Sequence, residues 1–278
     1  MYLAMRRTLP TLALCAALLS SSAAVQAAPE PSPGRTFSYG GHARQTVTVY
    51  GDGGPALVIL HGGSWVRDTD WSGWARWFAA RGFTVYDTDY RLATDAAWPA
   101  QRDDVLAAVR WVKRRGGGRP LVLGSSAGGH LALSAGTYGS GAERIRGVVA
   151  LSPVASPYRA WVDGGRPGAS AARRSLRGSA ELLAGCSPDR DGRRCRNRWG
   201  DLAAKSHASG ANDAPMLLAH SAEDFVPVAH STELAGAQRA LGMRDATVRG
   251  EPGNAHGGVL LNSQRLRQAV LRWLRQHT

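Results

Sequence analysis

The chain has 278 residues, of which 44% are hydrophobic and 20% charged, enough apolar material for one large core and more order than a disordered segment allows. Its formal charge is +13, yet the basic residues are scattered and no nucleic-acid recognition motif accompanies them, so the excess reads as solvated surface and excludes a nucleic-acid partner. No repeat and no linker divides the sequence.

The N-terminus has the layout of an export signal. Arg6 and Arg7 precede an apolar run from Leu9 to Ser20, and Val25-Gln-Ala27 supplies small residues for cleavage. The expected division is a signal peptide over 1–27 and a single domain over 28–278, in the extracellular space or the periplasm. The apolar run is too short for a membrane span of roughly 20 residues, so no stable membrane insertion is expected. Loss of two arginines and no acidic residue lowers the charge by two, to +11. Cys186 and Cys195 are the only cysteines left, and an isolated pair in an exported chain points to a disulfide, with no second ligand pair for a metal.

From Thr36 onward strands alternate with helices, the pattern of a sheet covered on both faces. Gln45–Tyr50 alternates like a half-exposed strand, whereas Ala56–Leu60 is continuously apolar, as in a strand buried on both sides. The latter ends in His61-Gly-Gly-Ser-Trp65, where two glycines let backbone N–H groups converge on a developing oxyanion. His61 is expected to hold that loop by hydrogen bonding. Trp71, Trp74 and Trp77 recur at helical spacing and read as packing residues. Phe83–Arg91 is the next strand with its polar end, and Trp98–Arg114 carries helix signals, with Pro99 in the first turn and basic residues in the last.

Val122-Leu-Gly-Ser-Ser-Ala-Gly-Gly-His130 carries the strongest motif. Gly124 and Gly128 flank Ser126 at two residues on either side, which permits a strand-to-helix turn tight enough to expose the hydroxyl at a helix N-terminus. Ser125 lacks glycines at those offsets. Gly147–Leu151 is a further buried strand. Residues 152–209 break the rhythm and read as an insertion over the C-terminal edge of the sheet, holding both cysteines and little periodicity. Pro215–His220 restores the sheet, Pro227–Leu241 is a helix, Ala246–Arg249 a last strand, and Leu260–Gln276 a closing amphipathic helix.

A serine nucleophile needs a base, and the base an orienting carboxylate. Asp224 follows the strand that ends at His220, at the sheet edge where α/β folds build their sites, with Glu223 as its competitor. His256, flanked by glycines in Gly253-Asn-Ala-His-Gly-Gly258, is the base. His42, His207, His220, His230 and His277 lack such a context, and none shows metal-ligand spacing.

The order Ser126, Asp224, His256, with His61-Gly-Gly-Ser-Trp65 upstream, resembles the α/β-hydrolase superfamily, and within it the hormone-sensitive-lipase-like carboxylesterases and the bacterial feruloyl-esterase-like and kynurenine-formamidase-like hydrolases. Asp87-Thr-Asp-Tyr-Arg91, Trp98-Pro-Ala100 and Asp224-Phe-Val-Pro227 fit the same pattern. The resemblance implies a mostly parallel central sheet, an α/β-hydrolase fold, and two-step acyl transfer with no cofactor and no metal. By position it assigns the oxyanion donors to the N–H groups of Gly63, Ser64 and Ala127. Ser64 stands where the lipase-like branch often has glycine. The implied partner is a small ester. An amide or peptide bond is the nearest alternative, and a non-catalytic binding module the one from another class.

Residues 156–205 hold eleven basic and five acidic residues, a local balance of +6. They carry no long apolar amphipathic segment of the kind a lipase lid needs. Trp65, Trp161 and Trp199 are expected to line the substrate pocket, with short-chain or aromatic, preferably anionic, esters as substrates.

Overall fold

A computed structural model describes residues 33–278. The segment expected to be a signal peptide, 1–27, lies outside the described residues. Eight strands form one sheet: β1 (Arg35–Ser38), β2 (Thr46–Tyr50), β3 (Ala56–Leu60), β4 (Thr84–Thr88), β5 (Leu121–Ser125), β6 (Gly147–Leu151), β7 (Met216–Ser221) and β8 (Ala246–Glu251). Their spatial order is β1-β2-β4-β3-β5-β6-β7-β8. Pairing is antiparallel from β1 through β2 to β4 and parallel across the rest.

The parallel strands β3, β5, β6 and β7 are buried along their whole length, which is why they read as unbroken apolar runs. Alternation still sorts their side chains. Val58, Leu60, Val122, Val148, Ala150, Met216 and Leu218 enter one apolar layer, while Leu57, Ile59, Leu121, Leu123, Val149, Leu151 and Leu217 enter the other. Each fully buried Leu or Val contributes about 1.5–3 kcal/mol relative to exposure. Helices α2 (Ala100–Val112), α3 (Ala127–Thr137) and α8 (Ala229–Ala240) cover the first layer, with the short α4 (Gly141–Arg144) following α3. α1 (Ser72–Ala79) and α9 (Gln264–Gln276) cover the second. α9 starts at Gln264 and not at Leu260, because residues Gly257–Asn262 form a 3-10 turn and the Ser263 hydroxyl accepts the Leu266 N–H to cap the helix.

The insertion is more ordered than its sequence suggests. It contains α5 (Pro157–Gly164), α6 (Ala171–Ala184) and α7 (Gly192–Leu202). In α6 the buried positions are Leu176, Ser179, Ala180, Leu183 and Ala184, a helical period carried partly by serine and alanine and therefore weak in a hydropathy reading. Asp201 of α7 ties the insertion to α2, accepting the Trp98 indole N–H at 2.6 Å and Arg102 at 3.0 Å. Cys186 and Cys195 are disulfide-bonded.

The chain runs from β3 to β4 on one side and then crosses to β5 on the other. The crevice at the C-terminal ends of β3 and β5 is thus a topological switch point, where such sheets place their ligands.

Candidate active site

Ser126 occupies the turn between β5 and α3 with φ 52° and ψ −112°. Backbone at positive φ is costly for a residue bearing a Cβ, and the turn is held by the Ser126 N–H donating to Leu151 and the Ser126 carbonyl accepting from His130. The flanking glycines are a steric requirement. A Cβ on Gly124 would sit 2.2 Å from the Gly128 carbonyl oxygen, and one on Gly128 would sit 2.2 Å from that of Leu60 and 2.3 Å from that of His61. Ser64, Trp65 and Ser152 also adopt positive φ, so all four such non-glycine residues among those described lie at strand ends around this crevice.

The His61–Trp65 loop packs against the elbow. A Cβ on Gly62 would meet the Ser125 carbonyl at 3.2 Å and the Ser126 Cβ at 3.5 Å. His61 holds the loop as expected, with Nδ1 2.7 Å from the Gly62 carbonyl and Nε2 3.1 Å from Asp89 Oδ1. Its ring stacks on Tyr90, whose hydroxyl donates to the His61 carbonyl at 2.8 Å. Among the described residues no protein acceptor takes the N–H groups of Gly63, Ser64 or Ala127.

His256 and Asp224 meet across the loops that follow β8 and β7. Nδ1 of His256 is 2.8 Å from Asp224 Oδ1, which also accepts the Val226 N–H at 2.9 Å. The Asp224 side chain is fully buried, whereas Glu223 is exposed, which settles which acid faces the imidazole. Two serines fix the histidine loop. Ser152 Oγ accepts the Gly257 N–H at 2.9 Å, and Ser125 Oγ accepts the Gly258 N–H at 3.1 Å. Gly257 is at φ 59° with Ser125 Oγ 2.4 Å from where its Cβ would be, so glycine is required there.

Ser126 and His256 line one open cleft of about 420 Å³, together with Gly62, Gly63 and Ser64. Its apolar walls are Trp71, Trp74, Phe225 and Val259, and Arg67 and Asp70 bring opposite charges to it. The Phe225 ring lies 4.3 Å from the His256 ring.

The three tryptophans expected in the pocket lie elsewhere. Trp65 is fully buried, because the positive φ at Ser64 and Trp65 turns its indole inward to donate to His130 Nδ1 at 3.2 Å. His130 Nε2 in turn donates to the Leu202 carbonyl, and burial pushes this imidazole down to about 4, so it stays neutral. Trp161 and Trp199 line a separate cavity of about 390 Å³ inside the insertion, with Tyr158 and the disulfide-closed loop at Pro188 and Asp189. The indoles of the cleft are Trp71 and Trp74, read from sequence as packing residues. Trp71 does both, since its ring is in the apolar layer and its rim faces the cleft.

Comparison with known proteins agrees with this architecture. Residues 49–150 match the BD-FAE family model. Over 88% of its length the chain superimposes on esterase B from Lactobacillus Rhamnosis (HN001), covering 86% of that chain with a TM-score of 0.69 at 22% identity. The chain is an α/β-hydrolase in fold. Among curated relatives, it is 38% identical over 91 residues to esterase LipC of Mycobacterium tuberculosis (strain ATCC 25618 / H37Rv), a stretch that is 30% of this chain and 23% of LipC. It is 28% identical over 99 residues to dipeptidyl aminopeptidase BIII of Pseudoxanthomonas mexicana, 30% of this chain and 14% of that enzyme. The chain therefore spans less than a quarter of the length of either relative.

Proposed function

We propose that this α/β-hydrolase is a secreted serine carboxylesterase that cleaves short-chain or aromatic soluble esters through an acyl-enzyme. The observation that carries the reading is the buried Asp224 carboxylate 2.8 Å from Nδ1 of His256, whose ring lines the cleft that also presents Ser126 from a strained elbow. Asp224 holds the imidazole with its proton on Nδ1, leaving Nε2 to take the Ser126 proton. Ser126 Oγ then attacks the ester carbonyl, and the free N–H groups of Gly63, Ser64 and Ala127 hold the oxyanion. The imidazolium protonates the leaving alcohol, and water, activated by the same histidine, releases the acid. None of these steps draws on a cofactor or metal.

Secretion rests on the leader sequence and is supported by the bonded cysteines, which persist in oxidising compartments. The short-chain preference is supported by the modest cleft volume and its Trp71 and Trp74 walls. Similarity to a dipeptidyl aminopeptidase keeps amide or peptide hydrolysis as a second reading. Steady-state rates on p-nitrophenyl acetate, butyrate and palmitate and on p-nitroacetanilide separate these. The ester reading expects butyrate or acetate to lead and the anilide to trail far behind. Faster anilide cleavage establishes the amidase, and a maximum at palmitate overturns the short-chain preference.

A further inference from the structure

Only one oxygen of Asp224 is used by His256. The other, Oδ2, is buried and makes no hydrogen bond, and 3.9 Å from it lies Nδ1 of His220, which is buried and unpartnered as well. His220 is the penultimate residue of β7, four residues ahead of Asp224, with a fully buried side chain. Its Nε2 is 2.8 Å from the hydroxyl of Ser231 in α8.

One tautomer suits both polar neighbours of the ring. With the proton on Nδ1, the ring points an N–H toward Asp224 Oδ2, 3.9 Å away, on the carboxylate whose other oxygen takes the Val226 N–H. Nε2 then accepts the Ser231 O–H. The opposite tautomer would set a lone pair against a buried carboxylate. Burial pushes His220 down to about 4, so at neutral pH the ring meets Asp224 as an uncharged dipole and leaves its negative charge to His256.

We propose that His220, held in place by Ser231, is a positioning residue that braces the Asp224 carboxylate at the oxygen His256 does not use. The inference rests on reading Ser126, Asp224 and His256 as the catalytic triad. The two rings divide the carboxylate between them: His256 holds Oδ1 by a hydrogen bond, and the buried His220 Nδ1, 3.9 Å away, is the polar group that faces Oδ2 and disfavours its rotation. Loss of the brace lets the acid loop and its imidazole drift, and misplacements of this size cost up to about a hundred-fold in rate.

The test compares Ser126→Ala, His220→Ala, His220→Asn and Ser231→Ala on p-nitrophenyl butyrate, with kcat referred to active sites counted by burst amplitude and folding checked by circular dichroism. His220→Ala should lower kcat per site by roughly ten- to a hundred-fold with KM within about two-fold. His220→Asn, which keeps an N–H near the position of Nδ1, should recover part of that loss, and Ser231→Ala should fall between it and the wild type. A role confined to packing would reduce the number of active sites and leave kcat per site unchanged, which overturns the proposal. If His220→Ala fails to fold, the Asn and Ser231 variants decide: wild-type kcat in both overturns it. Retained activity in Ser126→Ala would instead refute the triad itself, whereas an inactive Ser126→Ala beside a fully active His220→Ala refutes only the brace.

Discussion

Asp224 Oδ1 and His256 Nδ1 lie 2.8 Å apart although 32 residues separate them, and the same oxygen is pinned by the Val226 N–H. A carboxylate fixed in this way accepts a hydrogen bond from Nδ1–H and cannot donate one.

Asp224→Asn keeps the shape and replaces the acceptor with an amide that can present N–H, which favours the wrong imidazole tautomer. A loss in kcat on the order of 10⁴ with little change in melting temperature is expected. Steady-state kinetics beside a thermal melt checks both, and activity within ten-fold of wild type would contradict the assignment.

The glycines of the elbow and of the surface separate close approach from mere flexibility. Gly128→Ala drives a Cβ into two backbone carbonyls at the end of β3 and should cost both stability and activity. Gly236→Ala, in α8 with nothing within 4 Å of the new atom, should raise stability by about 1 kcal/mol and the melting temperature by about 2–4 °C. Melting curves that move together in the two variants would count against this division.

Stability should fall on acidification. Burial pushes His130 and His220 down to about 4 and His230 to about 3, from 6.5 in the unfolded chain, so below about pH 6.5 the unfolded state takes up protons that the folded state refuses. The loss continues until the folded-state values are reached. Asp87 works in the opposite sense, since burial pushes it up to about 6 from 3.8: its contribution is complete below 3.8 and lost as pH rises through 6. Asp87→Asn should therefore melt higher than wild type at pH 7 and lose more on the way to pH 4. A wild-type melting temperature that stays flat or climbs from pH 6.5 to 4 would refute the histidine account.

Replacing Cys186 and Cys195 by serine together removes a constraint on a short loop, worth about 2–3 kcal/mol. Hydrolysis of small esters should persist, because that loop walls the cavity of Tyr158, Trp161 and Trp199 and not the cleft. Denaturant melts and p-nitrophenyl acetate rates measure the two effects separately.

Much of this site was legible in the sequence because backbone geometry dictates it. Gly124 and Gly128 announce the elbow, and the continuous apolar strands β3, β5, β6 and β7 announce a sheet covered on both faces. Side-chain direction was not legible in the same way. Trp65 adjoins the His61–Ser64 loop in sequence, but two successive residues at positive φ turn it into the core, and no hydropathy pattern encodes that reversal. The insertion hid α6 because its buried face is built partly of serine and alanine. His220 stood in a strand with no glycine or acid beside it, and its relation to Asp224 exists only once β7 and the loop after it are folded. The arginines of the insertion suggested an anionic substrate, yet the arginine that reaches the cleft is Arg67. Charge selection, tested by Arg67→Ala against Arg196→Ala on anionic and cationic esters at low salt, should respond to the first and not the second.

The central claim is that Ser126 is the nucleophile, and covalent trapping addresses it most directly. Incubation with a fluorophosphonate followed by intact-mass and peptide analysis should show one phosphonyl group per chain, located on Ser126, with loss of ester hydrolysis in proportion to labelling and no adduct in Ser126→Ala. Stoichiometric labelling of another residue, or an unlabelled wild-type protein that still hydrolyses esters, would contradict it.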